Sequence, residues 1–260
     1  MQDKLSAYRR KLEAFVQGNA DLLDQARSAR EGFSPAFIDE AGFESAPIRL
    51  PPSSTPVSAD AYNAIVMFEV SSEAAYRRLY ERPIWPGGQS GVTIGIGYDL
   101  GYVTAPEFEA DWKGVIPDAA IERLGTTLGK AGGSANSEAA MKALAQSVRD
   151  VATPFEGAAT VFRQRSLPLY VALTEHSLPN TDALGPNSLG ALVSLVYNRG
   201  APFQRTEDRF REMRAIRQHM SDRAFDEIPA EFRCMQRLWP NLPGLQKRRE
   251  LEAELFAMDL

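Results

Sequence analysis

Residues 91–98 read Gly-Val-Thr-Ile-Gly-Ile-Gly-Tyr and decide how the rest of the chain is interpreted. The alternation of side chains and the bounding glycines predict a small β-hairpin or three-stranded flap. From Pro106 onward the pattern is helical, with prolines interrupting it repeatedly. The sequence therefore predicts a predominantly helical α+β fold with two lobes, and a cleft where the β element meets the helices.

The N-terminal part of the chain is predicted to be a separate helical segment. Residues 3–30 show apolar positions at three-to-four spacing, with a break at Gly18. The following stretch lacks periodicity and ends in Leu-Pro-Pro-Ser-Ser-Thr-Pro, which is a linker composition. A new helix begins near Ser58. We therefore expect a helical segment and Pro-rich linker over 1–57 and one domain over 58–260.

Composition excludes several classes of protein. The chain has 260 residues, 44% of them hydrophobic, which is enough for one large core. Its net charge of −5 is unlike that of a nucleic-acid binder. The single cysteine, Cys234, excludes an internal disulfide, and its apolar neighbours predict a buried, inert thiol.

Export and membrane signals are also absent from the sequence pattern. The first residues lack the apolar core of a secretory signal, and no stretch approaches the roughly 18 apolar residues of a membrane span. We expect a soluble protein that is made in the cytoplasm and reaches any outside target by another route. One predicted helix carries four arginines: Arg209, Arg211, Arg214 and Arg217. They indicate either a solvated, ion-paired helix face or a positively charged rim that binds an anionic polymer.

The motifs of metal and nucleotide enzymes are missing. The chain has two histidines, and it lacks a zinc-type Cys/His spacing, a nucleophile elbow and a phosphate loop. Carboxylate chemistry is what remains. Glu69 ends the apolar run Ala-Ile-Val-Met-Phe of residues 64–68. Apolar neighbours disfavour an ionised carboxyl, as a general acid requires. The alternative interpretation is a glutamate on the solvated side of an amphipathic helix.

Three segments, taken in order, resemble the phage-type lysozymes. The family opens with Phe-Glu-Gly, followed by Ala-Tyr and then Thr-Ile-Gly-x-Gly. This chain has Phe68-Glu69, Ala75-Tyr76 and Thr-Ile-Gly-Ile-Gly from Thr93. Residues 191–200, Ala-Leu-Val-Ser-Leu-Val-Tyr-Asn-Arg-Gly, resemble the family's helix ending in Phe-Asn-x-Gly. Residues 242–250, Leu-Pro-Gly-Leu-Gln-Lys-Arg-Arg-Glu, resemble its closing Gly-Leu-x-x-Arg-Arg-x-x-Glu. The likeness covers about residues 62–256.

The resemblance implies a lysozyme-like two-lobe domain and a glycosidase activity. The enzyme would be a muramidase that hydrolyses the β-1,4 bond between N-acetylmuramic acid and N-acetylglucosamine in peptidoglycan. Glu69 would protonate the leaving oxygen, and Thr93 would help position the attacking water. No metal or cofactor would be needed.

The second carboxylate of the family is missing at its usual spacing. Arg78 and Gly87 occupy the expected positions, because the segment between Tyr76 and Gly91 is longer than in the family. Three acids remain as candidates for the second role: Asp99, Glu81 and Glu73. Asp99 is favoured over Glu81 because glycines bound it, while Glu73 lies one turn from the proton donor. Inversion requires the two carboxyls about 6.5–9.5 Å apart.

Four further residues are candidates for substrate binding. Tyr98 either stacks on a sugar or packs, and Trp85 is either a sugar platform or a core residue. Asn198 and Arg199 could reach the cleft, and Asn198 could equally cap its helix before Gly200. Arg248 and Arg249 are interpreted as structural.

Three functional hypotheses remain open at this point. The first is a monomeric bacteriolytic hydrolase acting on the cell wall, either a phage endolysin or a secreted antibacterial toxin with a delivery partner or an immunity protein. The second is a non-catalytic lysozyme-like module that binds glycan or protein. The third keeps catalysis but changes the reaction, as in a lytic transglycosylase or chitinase.

Overall fold

The computed structural model describes residues 2–18, 50–133 and 136–260. It is mostly helical and contains one small antiparallel sheet, as predicted. The helix predicted beyond Gly18 lies outside the described residues. The helices are α1 (Gln2–Gly18), α2 (Ala59–Val70), α3 (Glu73–Leu79), α4 (Ala105–Trp112), α5 (Asp118–Gly125), α6 (Glu138–Ser147), α7 (Phe155–Val161), α8 (Leu167–Ser177), α9 (Pro186–Arg199), α10 (Arg211–Asp222), α11 (Ile228–Cys234) and α12 (Pro243–Phe256).

The chain divides into two compact units. Unit 1 comprises Met1–Ser71 and Pro168–Leu260, and unit 2 comprises Ser72–Leu167. Helix α1 therefore packs with the C-terminal helices. The Pro-rich stretch is bonded to unit 1 as well, because the Ser53 N–H donates to the Pro168 carbonyl at 3.0 Å. The boundary expected at 57/58 does not coincide with a limit of either unit.

Helix α9 lies at the centre of unit 1. The spacing of Leu189, Leu192, Val193 and Val196 predicts a helix with one apolar face. In the structure, all residues from Asn187 to Arg199 are buried. A helix that is buried on all sides is a core helix. Gly190 allows this packing, because a Cβ there would lie 2.1 Å from the Cβ of Ala61 on α2. Helix α12 packs on the same helix.

The predicted flap is confirmed in unit 2. Strand β1 (Thr93–Ile94) pairs antiparallel with β2 (Tyr98–Asp99), Thr93 facing Asp99. Ile84 adds an isolated bridge to Thr93 and so forms a third partner. The turn between the strands needs Gly95 and Gly97, whose φ angles of 59° and 67° lie in the left-handed region.

The described helices are short. Helix α1 has 17 residues, and α9 and α12 have 14 each. Crossing a bilayer takes about 20 predominantly apolar residues. Within the three described ranges, no helix combines the length and the apolar character that such a crossing demands.

The prediction of a buried Cys234 is wrong, because the thiol is exposed. Phe232 and Met235, three residues apart, are buried and mark the inner face at the end of α11. A side chain between them in sequence is rotated about 100° per residue on a helix, which takes Cys234 off that face.

The arginine-rich helix α10 fits the first of its two interpretations. Arg214 Nη1 donates to the Glu207 carbonyl at 3.0 Å, and Arg217 Nη1 donates to the Ser177 carbonyl at 3.0 Å. Arg211 lies 3.1 Å from Glu212. These side chains bind carbonyls and acids of their own unit.

Glu212 makes the stability of unit 1 depend on pH. Its side chain is 1% exposed and accepts from Arg237 Nε at 2.6 Å. Burial acts to raise the pKa of Glu212, but the hydrogen bonds from Arg237 and from backbone outweigh it and lower the pKa below its ordinary value. A lowered carboxyl pKa stabilises the fold above the unfolded-state pKa, and this stabilisation is lost as pH falls through the folded-state pKa.

We expect Glu212→Gln to reduce the free energy of unfolding by about 2 kcal/mol at pH 7, the scale of hydrogen bonds to a charged group. The difference from wild type should shrink as the pH falls below the ordinary glutamate pKa of about 4.3, because the unfolded chain then takes up the proton and the charged folded-state contact contributes less. Urea unfolding of both proteins at pH 7 and at pH 3.5 measures it. An equal difference at the two pH values would contradict a charged role for Glu212.

Candidate functional site

Glu69 is the next-to-last residue of α2 and is 7% exposed. The helix starts at a Ser58 cap, whose hydroxyl accepts from the Ala61 N–H at 3.0 Å. It ends at Ser71, which has a φ of 60° and a ψ of −60°. Such a conformation is rare for a residue other than glycine, and such residues concentrate at functional sites.

The apolar run before Glu69 is not its whole environment. Arg248 Nη1 donates to Glu69 Oε1 at 3.0 Å, and both side chains are under 10% exposed. The Arg248 guanidinium also lies over the Phe68 ring, 4.8 Å from its centroid. A buried carboxylate thus has a buried cation beside it, and its negative charge is compensated.

This ion pair belongs to a larger buried network in unit 1. Arg248 Nε donates to Glu252 Oε1 at 3.0 Å, and Arg249 Nε lies 2.9 Å from Glu252 Oε2. The Ser194 hydroxyl donates to Glu252 Oε1 at 2.5 Å and accepts from Arg248 Nη2 at 3.2 Å. Two carboxylates face two guanidinium groups, so the charges balance.

The sequence interpretation gave Arg248 a structural role and did not identify its contact with Glu69. The signal was present in the closing Arg-Arg-x-x-Glu, because residues four apart share a helix face. Arg248 and Glu252 have that spacing. Nothing local indicated that the same face meets Glu69, which lies 179 residues earlier.

Asn198 and Arg199, expected as substrate-binding residues, are each 2% exposed. The Asn198 amide oxygen accepts from Arg249 Nη2 at 3.1 Å. The Arg199 guanidinium lies 5.2 Å from the Trp239 ring centroid and 5.5 Å from that of Phe210. Asn198 therefore extends the buried network, and Arg199 packs between aromatic rings, so neither offers an exposed polar group to a sugar.

Unit 2 holds Thr93 at the start of β1, where it is partly exposed. Its N–H donates to the Ile84 carbonyl at 2.8 Å, and its carbonyl accepts from the Ile84 N–H at 3.0 Å. The Thr93 hydroxyl lies 3.4 Å from the Gly91 carbonyl. Two hydrogen bonds to Ile84 thus fix the backbone of Thr93.

Asp99 ends β2, and its carboxylate is bound by backbone. Oδ1 accepts from the Gly91 N–H at 3.0 Å and from the Gly101 N–H at 2.9 Å. Oδ2 is 3.2 Å from the same Gly91 N–H. These contacts join Gly91, which precedes β1, to Gly101, which follows β2. Asp99 therefore stabilises the flap.

Gly91→Ala should disrupt this arrangement. A Cβ at Gly91 would lie 2.4 Å from Gly101 N and 2.5 Å from Asp99 Oδ1, and backbone cannot yield as a flexible side chain can. We expect a loss of about 1–3 kcal/mol in unfolding free energy, the scale of overpacking. Gly125→Ala, whose Cβ meets nothing within 4 Å, is the control. Equal chemical-denaturation curves for Gly91→Ala and Gly125→Ala would contradict the close contact of Gly91 with Gly101 and Asp99.

The other two candidate acids lie on or beside α3. Glu73 Oε1 accepts from Arg77 Nε at 2.9 Å on the helix surface. Glu81 follows the helix, and its carbonyl accepts from the Thr153 N–H at 2.8 Å. Tyr76 is fully buried, and its hydroxyl donates to the Thr153 carbonyl at 2.6 Å. Burial raises the Tyr76 pKa to about 12, so it remains a neutral donor.

The two aromatic candidates are held within unit 2. Tyr98 is 7% exposed, makes an edge contact of 5.5 Å with Trp112 and donates from its hydroxyl to Asp111 Oδ2 at 2.8 Å. This favours the packing alternative for Tyr98. Trp85 is partly exposed, and its indole N–H donates to the Ser90 carbonyl at 2.8 Å. Its ring therefore remains a candidate sugar platform.

Glu69, Asn198 and Arg199 lie in unit 1, and the remaining candidates lie in unit 2. In the described ranges, no group of three or more His, Cys, Asp or Glu side chains has an arrangement that could hold a metal ion. The chain matches no protein-family model and no curated protein.

Proposed function

We propose that this protein is a peptidoglycan hydrolase of the muramidase type, with Glu69 as general acid. The observation that carries the proposal is the meeting of three distant segments. Glu69 comes from the first lysozyme-like segment, Ser194 and Asn198 from the second, and Arg248 and Arg249 from the third. All of them join one buried network. A resemblance by chance would not require its segments to be bonded to one another.

As general acid, Glu69 would transfer a proton to a glycosidic oxygen. Arg248 occupies Oε1, so Oε2 is the oxygen that would carry the proton. After the transfer, the carboxylate charge is compensated by the guanidinium that is already in place. Thr93 would position the attacking water, and the second acid would remove a proton from it, with inversion at the sugar carbon.

Asp99 remains the proposed second acid, with Glu81 as the alternative. Because Asp99 also ties the flap together, loss of activity in Asp99→Asn would have two explanations. Gly91→Ala separates them, since it disturbs the same turn and keeps the carboxylate. Activity lost in Asp99→Asn and retained in Gly91→Ala would favour a chemical role. Loss in Glu81→Gln alone would assign the second acid to Glu81.

The proposal is tested by incubating the purified chain with purified peptidoglycan. Turbidity should fall, and mass spectrometry of the soluble fragments should show reducing N-acetylmuramic acid ends. Fragments with 1,6-anhydro ends would change the reaction to transglycosylation. Binding to peptidoglycan without release of fragments would instead favour the non-catalytic module. Delivery as an endolysin or as a secreted antibacterial toxin, with its own carrier or immunity protein, is part of the same proposal.

A further inference from the structure

Helix α1 is packed into unit 1 through an apolar stripe. Four side chains on one face are at most 8% exposed: Tyr8, Leu12, Phe15 and Val16. Their spacing of four, three and one residues is that of one helix face. The opposite face carries charged residues. The helix that the sequence sets apart from the domain thus has its apolar face already covered.

Two ion pairs connect α1 to the helices that form the Glu69 site. Arg9 Nε and Nη2 donate to Asp60 Oδ1 and Oδ2 at 2.6 and 2.9 Å. Lys11 Nζ donates to both oxygens of Glu254 at 2.8 and 2.9 Å. Asp60 lies on α2, nine residues before Glu69, and Glu254 lies on α12, six residues after Arg248. Helix α1 therefore binds both helices whose side chains make the Glu69–Arg248 pair.

Tyr8 places a third group of α1 beside the same network. Its side chain is 1% exposed, and its hydroxyl has no hydrogen-bond partner among the described residues. Burial and then the nearby charges of Glu252, Asp60 and Glu254 raise the pKa of Tyr8. The hydroxyl stays neutral and lies near the carboxylate that joins Arg248 to Arg249.

We propose that α1 is a positioning element for the general acid: by binding α2 through Arg9 and α12 through Lys11, it fixes the contact between Glu69 and Arg248. This inference rests on the proposed function of Glu69. Arg9 and Lys11 do not touch a substrate. They act through the two helices, since a short helix moves as a stiff unit and carries its side chains with it.

The experiment uses the full chain with Arg9→Ala, Arg9→Lys and the control Arg10→Ala, which removes the same charge from a neighbouring exposed position. Steady-state cleavage of soluble peptidoglycan fragments gives kcat, KM and the pH profile. We expect Arg9→Ala to lower kcat about tenfold, within the roughly 100-fold that a 1 Å misplacement can cost. KM should be unchanged, and the pH profile should shift. Arg9→Lys should recover part of the loss, and Arg10→Ala should resemble wild type.

Hydrogen exchange of residues 59–70 and 243–256 provides a second readout that does not depend on activity. Faster exchange in Arg9→Ala than in Arg10→Ala supports the inference. If wild type cleaves and the two alanine variants share the same kcat, pH profile and exchange, α1 does not position the acid, while the proposed function stands. A kcat loss that only follows a lower melting temperature, with no change in the pH profile, also overturns the inference. If wild type does not cleave, the proposed function fails. Equal hydrogen exchange in Arg9→Ala and Arg10→Ala would then also show that Arg9 does not fix the helices of Glu69 and Arg248.

Discussion

Replacement of Glu69 by glutamine should abolish wall lysis while the helical fold persists. Glutamine keeps the size and shape of the side chain but has no proton to transfer at neutral pH. General acid catalysis contributes about 10²–10⁴-fold, so activity should fall by at least about 100-fold. The rate of turbidity loss of purified peptidoglycan measures the effect. Circular dichroism of the same samples shows whether the fold is retained.

Two further variants make this result interpretable. Glu69→Gln removes one of the two carboxylates that face the buried Arg248, so some instability is expected. Glu69→Asp keeps the charge and withdraws the carboxyl by one methylene, so it should fold and still lose most activity. Glu227→Gln removes an exposed carboxyl and should lyse like wild type. Lysis by Glu69→Gln at the wild-type rate would exclude Glu69 as the acid.

The flap and the helix of Glu69 were predictable because their signals are local. A two-residue period with bounding glycines marks a hairpin, and the strands at Thr93 and Tyr98 form where that pattern lies. An apolar run behind a serine cap marks the helix that ends beside Glu69. In both cases the residues that decide the structure are neighbours in sequence.

The partners of the candidate residues were not predictable in the same way. Arg248 reaches Glu69 across 179 residues, and periodicity carries no information on which helix faces which. Asp99 was favoured because Gly97 and Gly101 bound it, but its carboxylate is held by the N–H groups of Gly101 and of Gly91, which lies eight residues earlier. Cys234 was misplaced because apolar residues around a position do not fix its rotation about the helix axis. Each of these depends on tertiary packing.

Glu252→Gln should cause the largest loss of stability of any single change considered. Glu252 is 1% exposed and faces Arg248 and Arg249, both of them buried. Without the charge of Glu252, Arg248 keeps the carboxylate of Glu69, while Arg249 loses the carboxylate that lies 2.9 Å from its Nε. Removing one partner of a buried ion pair typically costs about 3–5 kcal/mol, because the remaining charge stays desolvated and uncompensated. Urea unfolding at pH 7 measures the change in the free energy of unfolding.

A matched change on the same helix isolates the effect of burial. Glu250 pairs with Arg233 at 3.1 Å but is 30% exposed, so Glu250→Gln should cost less than about 1 kcal/mol. If Glu252→Gln and Glu250→Gln lower the free energy of unfolding equally, burial does not make the ion pairs of Glu252 more stabilising than an exposed pair. Replacing Glu252 and Arg249 together by leucine should cost less than the sum of the two single changes, because no lone charge remains between them. If the stability cost of the double variant equals the sum of the two single costs, Glu252 stabilises the fold through Ser194 or Arg248. The charge of Arg249 is then compensated by another group.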